Sequence, residues 1–188
     1  IKIEQIGGDP FRGMLSGLGA ARVNAGKRSL SVNLKTDEGR ALVMTLMGDA
    51  DVVIHNYRPG VPERLGIGYE QVAAVNPRVI YLQSTGYGAD GPSAARPSTH
   101  PVPGALMGGA VYQMGGRLPA DLLDFEDQRL WASRIMRANE LSPDPNTGAV
   151  VASAVMLGLS ERQRSGQGQK ISVDMLGANA YANSDDFL

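Results

Sequence analysis

Apolar and polar residues alternate along Ile1-Lys2-Ile3-Glu4 and again along Ser29-Leu30-Ser31-Val32-Asn33-Leu34, the period of two that marks half-buried strands. From 41 to 47 the spacing changes: Ala41, Leu42, Met44, Leu46 and Met47 form an approximate helical stripe, which Thr36 and Asp37 are placed to cap. The run Val52-Val53-Ile54 is short, continuous and β-branched, which predicts a buried strand. A short helix over Tyr69 to Val75 ends near Asn76-Pro77, and Val79-Ile80-Tyr81-Leu82 predicts the next strand. Strand and helix therefore alternate through the first half. That order predicts an α/β fold with a parallel sheet and flanking helices, in which ligands bind beyond the carboxyl ends of the strands. The loops at 55–64 and 84–100 follow those ends.

The second half is predominantly helical. Helices are predicted over Pro101 to Met114, over Asp121 to Glu140 with Leu122, Leu123, Leu130, Trp131, Ile135 and Met136, and over Thr147 to Arg164, whose end is basic. Gly166-Gln167-Gly168-Gln169 stops the last of these, Lys170 to Asp174 reads as a strand, and a small-residue helix begins at Met175. The segment from Gly7 to Gly19 reads as a Gly-rich loop. With 24 Gly and 11 Pro, about 19% of the chain, short elements and many turns are expected. No repeat or interdomain linker interrupts the pattern, and an opening strand with no initiator Met predicts missing upstream sequence.

Composition narrows the chemistry. The 188 residues, 43% apolar and 20% charged, suffice for one globular core. Zero Cys removes thiol nucleophiles, disulfides and Cys-based zinc sites, and two His leave little for another metal centre. Eighteen basic against 19 acidic residues lack the excess of positive charge that a nucleic-acid binder needs. No apolar run is long enough to span a membrane, and the N-terminus lacks the order of a signal peptide, so a cytoplasmic location is expected.

Several residues carry candidate chemistry. Gly86-Tyr87-Gly88-Ala89-Asp90-Gly91 has the spacing of a dinucleotide fingerprint, but the loop-like Pro92 to Pro97 follows where a helix must open, so no nicotinamide site is expected. Asn56, Arg58 and Arg64 follow a buried strand, where guanidinium forks can take phosphate bidentately; an isolated loop arginine is more commonly just solvated. Lys27 and Arg28 are open to the same two readings. His100, among Pro97, Pro101 and Pro103, suits a group titrating near pH 7 or a structural hydrogen bond. Asp144, in Asp144-Pro145-Asn146-Thr147-Gly148, lies just before the predicted helix, whose dipole favours an ionised, nucleophilic carboxylate; in the alternative, Asp144 shapes the turn and Asn146 or Thr147 caps the helix.

Taken in order, these pieces resemble the family III CoA-transferases, which include formyl-CoA transferase, carnitine CoA-transferase and α-methylacyl-CoA racemase. The likeness runs from Ile1-Lys2-Ile3-Glu4 with Gly8-Asp9-Pro10, through Asn24-Ala25-Gly26-Lys27-Arg28-Ser29 and Asp37-Glu38-Gly39-Arg40, to its most specific stretch, Ala50 to Val61 with Glu63-Arg64-Leu65-Gly66. It continues through Asn76-Pro77-Arg78, Thr85-Gly86-Tyr87-Gly88, Thr147-Gly148 and Gly166-Gln167-Gly168-Gln169, sparing about 116 to 140. The resemblance implies a Rossmann-like parallel sheet, with residues 1–188 forming part of the large domain of an intertwined homodimer. The family's first strand-helix unit and C-terminal small domain would lie outside this chain.

By position, the resemblance assigns Asn56, Tyr57, Arg58, Arg64 and Gly86 to coenzyme A contacts and makes Asp144 the catalytic aspartate. The implied reaction is acyl-CoA:carboxylate CoA transfer through an aspartyl-CoA thioester, with acyl-CoA and a carboxylic acid as partners and no metal or nucleotide required. Two other readings stay open: an acyl-CoA racemase using His100 and Asp144 as an acid/base pair, and a non-catalytic scaffold half of a tandem or heteromeric assembly.

Overall fold

The structure, a computed structural model, describes residues 1–99, 101–116, 119–121, 124–137 and 143–182. Its strands are parallel and its helices flank them. Strand β1 (Lys2–Glu4) pairs with β2 (Ser29–Ser31) in the register Ile3↔Leu30. Strands β3 (Val52–His55), β4 (Ile80–Thr85) and β5 (Gln169–Asp174) form a second sheet in the order β3-β4-β5. Among the described residues, the expected parallel sheet is therefore a three-stranded sheet and a separate two-stranded pair.

The stretch read as a Gly-rich loop is instead wound, with a 3₁₀ segment at Pro10–Gly17 running into helix α1 (Leu18–Val23). The cause is polar anchoring that period counting does not register. Asp9 accepts from the Phe11 amide at 2.9 Å and pairs with Lys2, while Arg12 reaches the buried Glu4 at 2.6 Å, so both side chains fasten the turn to β1.

Helix α2 (Asp37–Gly48) forms where its stripe predicts, and Thr36 Oγ1 accepts the Gly39 amide at 3.1 Å. At the far end, the buried Asn76 donates to the carbonyls of Met47 (2.9 Å) and Ala50 (2.8 Å), bracing the turn that follows the helix. Met44 and Met47 of α2 pack against two clusters, Val53/Val72/Val79/Tyr81 and Val32/Val43/Ile67, and so tie the two sheets together. Ile80, Tyr81 and Leu82 are buried on both faces of the central strand, as a parallel strand covered by helices requires.

Between β3 and β4 lie α3 (Val61–Arg64), which the sequence pattern leaves inside a loop, and α4 (Tyr69–Val75). The helix expected over Pro101 to Met114 is divided into α5 (Pro101–Leu106) and α6 (Gly109–Met114), the chain turning at Met107 and Gly108, the latter left-handed at φ 78. Helix α7 spans Phe125–Arg137, a shorter stretch than the predicted 121–140, whose Leu122, Leu123 and 138–140 lie outside the described residues.

Helix α8 (Pro143–Ser165) begins four residues before the predicted start. Pro143 and Pro145 are compatible with a first turn, where no backbone donor is needed. Thr147 does not cap the helix; its hydroxyl donates to the Pro143 carbonyl at 2.6 Å inside it. After the tight turn at 166–168, β5 runs back along α8 and leads into α9 (Met175–Ala182). The N-terminus of α8 therefore stands at the carboxyl end of β5.

Candidate functional site

Three chain segments meet at the carboxyl edge of the three-stranded sheet: the loop after β3, the loop after β4, and the first turn of α8 beside α9. The register His55↔Gln83 and Thr85↔Asp174 aligns the strand ends. Parallel strands about 4.8 Å apart put β3 and β5 roughly 10 Å apart, with β4 between them.

The loop after β3 carries Asn56, Tyr57 and Arg58, all exposed. It closes on itself when the Val61 amide donates to the Arg58 carbonyl at 3.1 Å, and Gly60, at φ 79, turns the chain into α3 in a conformation that costs L-residues energy. Arg64, at the end of α3, folds back over this glycine: a Cβ at position 60 would sit 3.1 Å from Arg64 Nη1. Arg58 and Arg64 thus belong to one loop-helix unit. Among the described residues neither makes an ion pair with a carboxylate.

Gly86 follows β4. A Cβ there would lie 2.2 Å from Ser98 Cβ, so the segment returning at 98 occupies the place of a side chain and by itself accounts for the glycine. The Gly86 carbonyl accepts the Leu176 amide at 3.1 Å, joining this loop to the start of α9. The glycine-spaced stretch is followed by turns, with Ala94 N donating to Gly91 O and Arg96 N to Ser93 O.

Asp144 is the second residue of α8, and is exposed there; it lies within the first turn, where the sequence pattern puts it just ahead of the helix. What fixes this turn is Asn179 of α9, 1% exposed and overlooked in the sequence pattern. Its amide is shared among the Met175 carbonyl (2.7 Å), the Pro143 carbonyl (3.3 Å) and Thr147 Oγ1 (3.4 Å), and its Oδ1 accepts from Asn146 at 3.0 Å. A lone amide within Met175-Leu176-Gly177-Ala178-Asn179-Ala180 is the signal that could have found it, because a buried polar group must be paired.

The edge therefore carries Asn56, Tyr57, Arg58 and Arg64 after β3, Gly86 after β4 and Asp144 in the first turn of α8, on separate segments. His100 lies outside the described residues. Lys27 is placed elsewhere: it lines a cavity of about 440 Å³ beside β1 and β2, together with Lys2, Glu4, Arg12 and Asn24. Among the described residues no group of three His, Asp or Glu is arranged to hold a metal ion, and no helix is long and apolar enough to cross a membrane.

The model of CoA-transferase family III matches residues 1–188. An acyl-CoA transferase of Fusarium pseudograminearum is 36% identical over 155 residues, which cover 82% of this chain and 31% of that protein. An acetyl-CoA:oxalate CoA-transferase of Acetobacter aceti is 32% identical over 162 residues, 81% of this chain and 36% of that protein. The crystal structure of Rv3272 from Mycobacterium tuberculosis superposes with a TM-score of 0.80 at 29% identity, covering 99% of this chain and 49% of that one. The chain thus spans about a third of the length of the two curated relatives and half of the solved chain.

Proposed function

The chain belongs to CoA-transferase family III, and from that premise we propose that the whole protein moves coenzyme A from an acyl-CoA to a carboxylic acid, with Asp144 as nucleophile. The observation that carries the reading is the arrangement of the sheet's carboxyl edge. A loop-helix unit bearing two arginines that have no carboxylate partner among the described residues stands on the β3 side, and an exposed carboxylate in the first turn of a 23-residue helix stands on the β5 side. Acyl-CoA has the matching polarity, with phosphates at one end and a thioester at the other.

In this mechanism Arg58 and Arg64 take the phosphates, with Asn56 and Tyr57 beside them and Gly86 on the neighbouring loop. The Asp144 carboxylate attacks the thioester carbonyl, giving a mixed anhydride and CoA thiolate. The thiolate attacks the aspartyl carbonyl, releasing the donor acid and leaving an aspartyl-CoA thioester. The acceptor carboxylate attacks that thioester, forming a second anhydride and expelling the thiolate. Attack of the thiolate on the acceptor's acyl carbon yields the new acyl-CoA and restores Asp144. The N-terminal end of α8 stabilises negative charge at this position. The reading includes an intertwined homodimer, as the family resemblance implies, and a cytoplasmic location.

Intact mass spectrometry of the full-length protein, incubated with acyl-CoA and a panel of carboxylates, tests the proposal. A covalent adduct on Asp144 that vanishes in Asp144→Ala, with turnover lowered more than about a thousandfold, is the expected result. No adduct, together with acceptor-independent α-deuterium exchange requiring His100 and Asp144, would establish the racemase instead. Neither adduct nor exchange across the panel would favour the scaffold.

A further inference from the structure

β3 ends in a histidine that the proposed chemistry does not use. Nδ1 of His55 accepts the Tyr57 amide at 3.2 Å, which requires that nitrogen to be unprotonated and places the proton of the neutral ring on Nε2. Nε2 is buried without a partner among the described residues. The ring meets Tyr57 at 5.7 Å and, edge-on, Tyr81 at 5.2 Å. Tyr81, 1% exposed, is itself anchored by its hydroxyl, which donates to the Ile67 carbonyl at 2.8 Å, three residues beyond Arg64. One line of contacts therefore runs from the tip of the loop through His55 into the central strand and out to the segment following α3.

This line has an electrical condition. Burial lowers the His55 pKa to about 4; Glu63 on α3 opposes the shift and Lys170 on β5 adds to it. Protonating Nδ1 would put a donor against the Tyr57 amide, also a donor, and a charge among Tyr57 and Tyr81. The neutral ring is the one the loop conformation needs.

We propose that neutral His55 is a positioning residue, holding Tyr57, and with it Asn56 and Arg58, in the conformation that receives the phosphate end of acyl-CoA. This rests on the coenzyme A reading of the loop given above. His55 touches no reacting atom in the scheme, so its removal should weaken substrate capture and spare the chemical step.

The test uses two substitutions in the full-length protein. His55→Leu keeps bulk and removes the acceptor, whereas His55→Asn places an amide oxygen close to where Nδ1 lies. The expected result for His55→Leu is a KM for acyl-CoA raised about tenfold, the size of one lost hydrogen bond, with kcat within about twofold and faster hydrogen exchange at the Tyr57 amide. His55→Asn should recover most of both effects. Equal losses in kcat and KM for both variants, or native KM and native Tyr57 exchange in His55→Leu, would overturn the proposal. Arg58→Ala, measured alongside, separates the two levels. If it raises KM while His55→Leu does not, the positioning role alone falls; if neither Arg58→Ala nor Arg64→Ala changes KM, the loop reading falls and takes the His55 role with it.

Discussion

The two sheets treat charge in opposite ways. On β1, Glu4 is buried with two cations and a backbone donor: Arg12 at 2.6 Å, Lys2 at 3.5 Å and the Asp9 amide at 3.1 Å. Arg12 chiefly, with the Asp9 amide and Lys2 adding to it, holds the Glu4 carboxyl below its ordinary pKa. Beyond β3, Arg58 and Arg64 extend from an exposed loop and a one-turn helix with no carboxylate paired to either among the described residues. Arg12 serves the fold and is neutralised by a carboxylate of its own chain. Under the proposed function, arginines left without a carboxylate among the described residues at a strand's carboxyl end are the ones available to an anion.

Paired substitutions break that comparison most sharply. Arg58→Ala should raise KM for acyl-CoA about ten- to a hundredfold, the loss expected of a charge-assisted contact to phosphate, with little change in the thermal midpoint. Arg12→Ala should do more to the midpoint than Arg58→Ala does, because it strips a buried carboxylate of its closest partner. Kinetics and calorimetry on both proteins check the pair. Equal loss of stability in both would show that Arg58 is also structural.

A smaller effect is expected where the site meets its support. Asn179 is the buried amide that holds the first turn of α8, so Asn179→Leu should cost about 1–3 kcal/mol of stability by leaving the Pro143 and Met175 carbonyls short of a partner. Turnover should fall as well, since Asp144 rides on that turn. Urea unfolding gives the first quantity and single-turnover adduct formation the second.

Acid provides the next test. The folded protein keeps His55 neutral down to about pH 4, whereas an unfolded histidine takes up its proton near 6.5. Between those values the unfolded chain binds more protons, so the His55 contribution makes stability fall as pH drops from about 6.5 to about 4 and leaves it level above 6.5. His55→Asn should flatten that slope relative to the parent protein in thermal melts across the window. An unchanged slope would assign it to other groups.

How much of this was legible in the sequence follows from the range of the forces involved. The alternation at 29–34, the continuous β-branched run at 52–54, the strand read at 170–174 and the helical stripe at 41–47 fall on the strands at 29–31, 52–55 and 169–174 and the helix over 37–48, because burial acts on residues a few positions apart. Segments shaped by polar contacts were read less well. The 3₁₀ turn at 10–17 depends on Asp9 and Arg12 meeting β1, and α3 depends on the left-handed Gly60. The loop arginines could be named from their place after a buried strand. For Asn179 a lone amide among small and apolar residues was the only local sign, because its partners Pro143, Asn146 and Thr147 lie more than thirty residues upstream and are contiguous only in the fold. His55 falls at the start of the loop read over 55–64, and nothing local reveals that its Nδ1 faces the Tyr57 amide.

The smallest effect sharpens the account of how the loop is braced. Tyr81 sits between His55 and Tyr69, with ring centroids 5.2 and 5.8 Å away, and burial raises its phenol pKa well above the ordinary value. A neutral phenol is the form that donates to the Ile67 carbonyl. Tyr81→Phe keeps both ring contacts and removes only that donor, so the expected cost is about 1 kcal/mol of stability. If the bond also anchors the segment after α3, KM for acyl-CoA should rise two- to threefold, about 0.4–0.7 kcal/mol. A KM that stays native while stability falls would confine the bracing to the ring stack between Tyr81 and His55. A rise larger than that of His55→Leu would move the main anchor of the arginine loop from the histidine to this hydroxyl, because the substitution leaves every contact of the His55 ring in place.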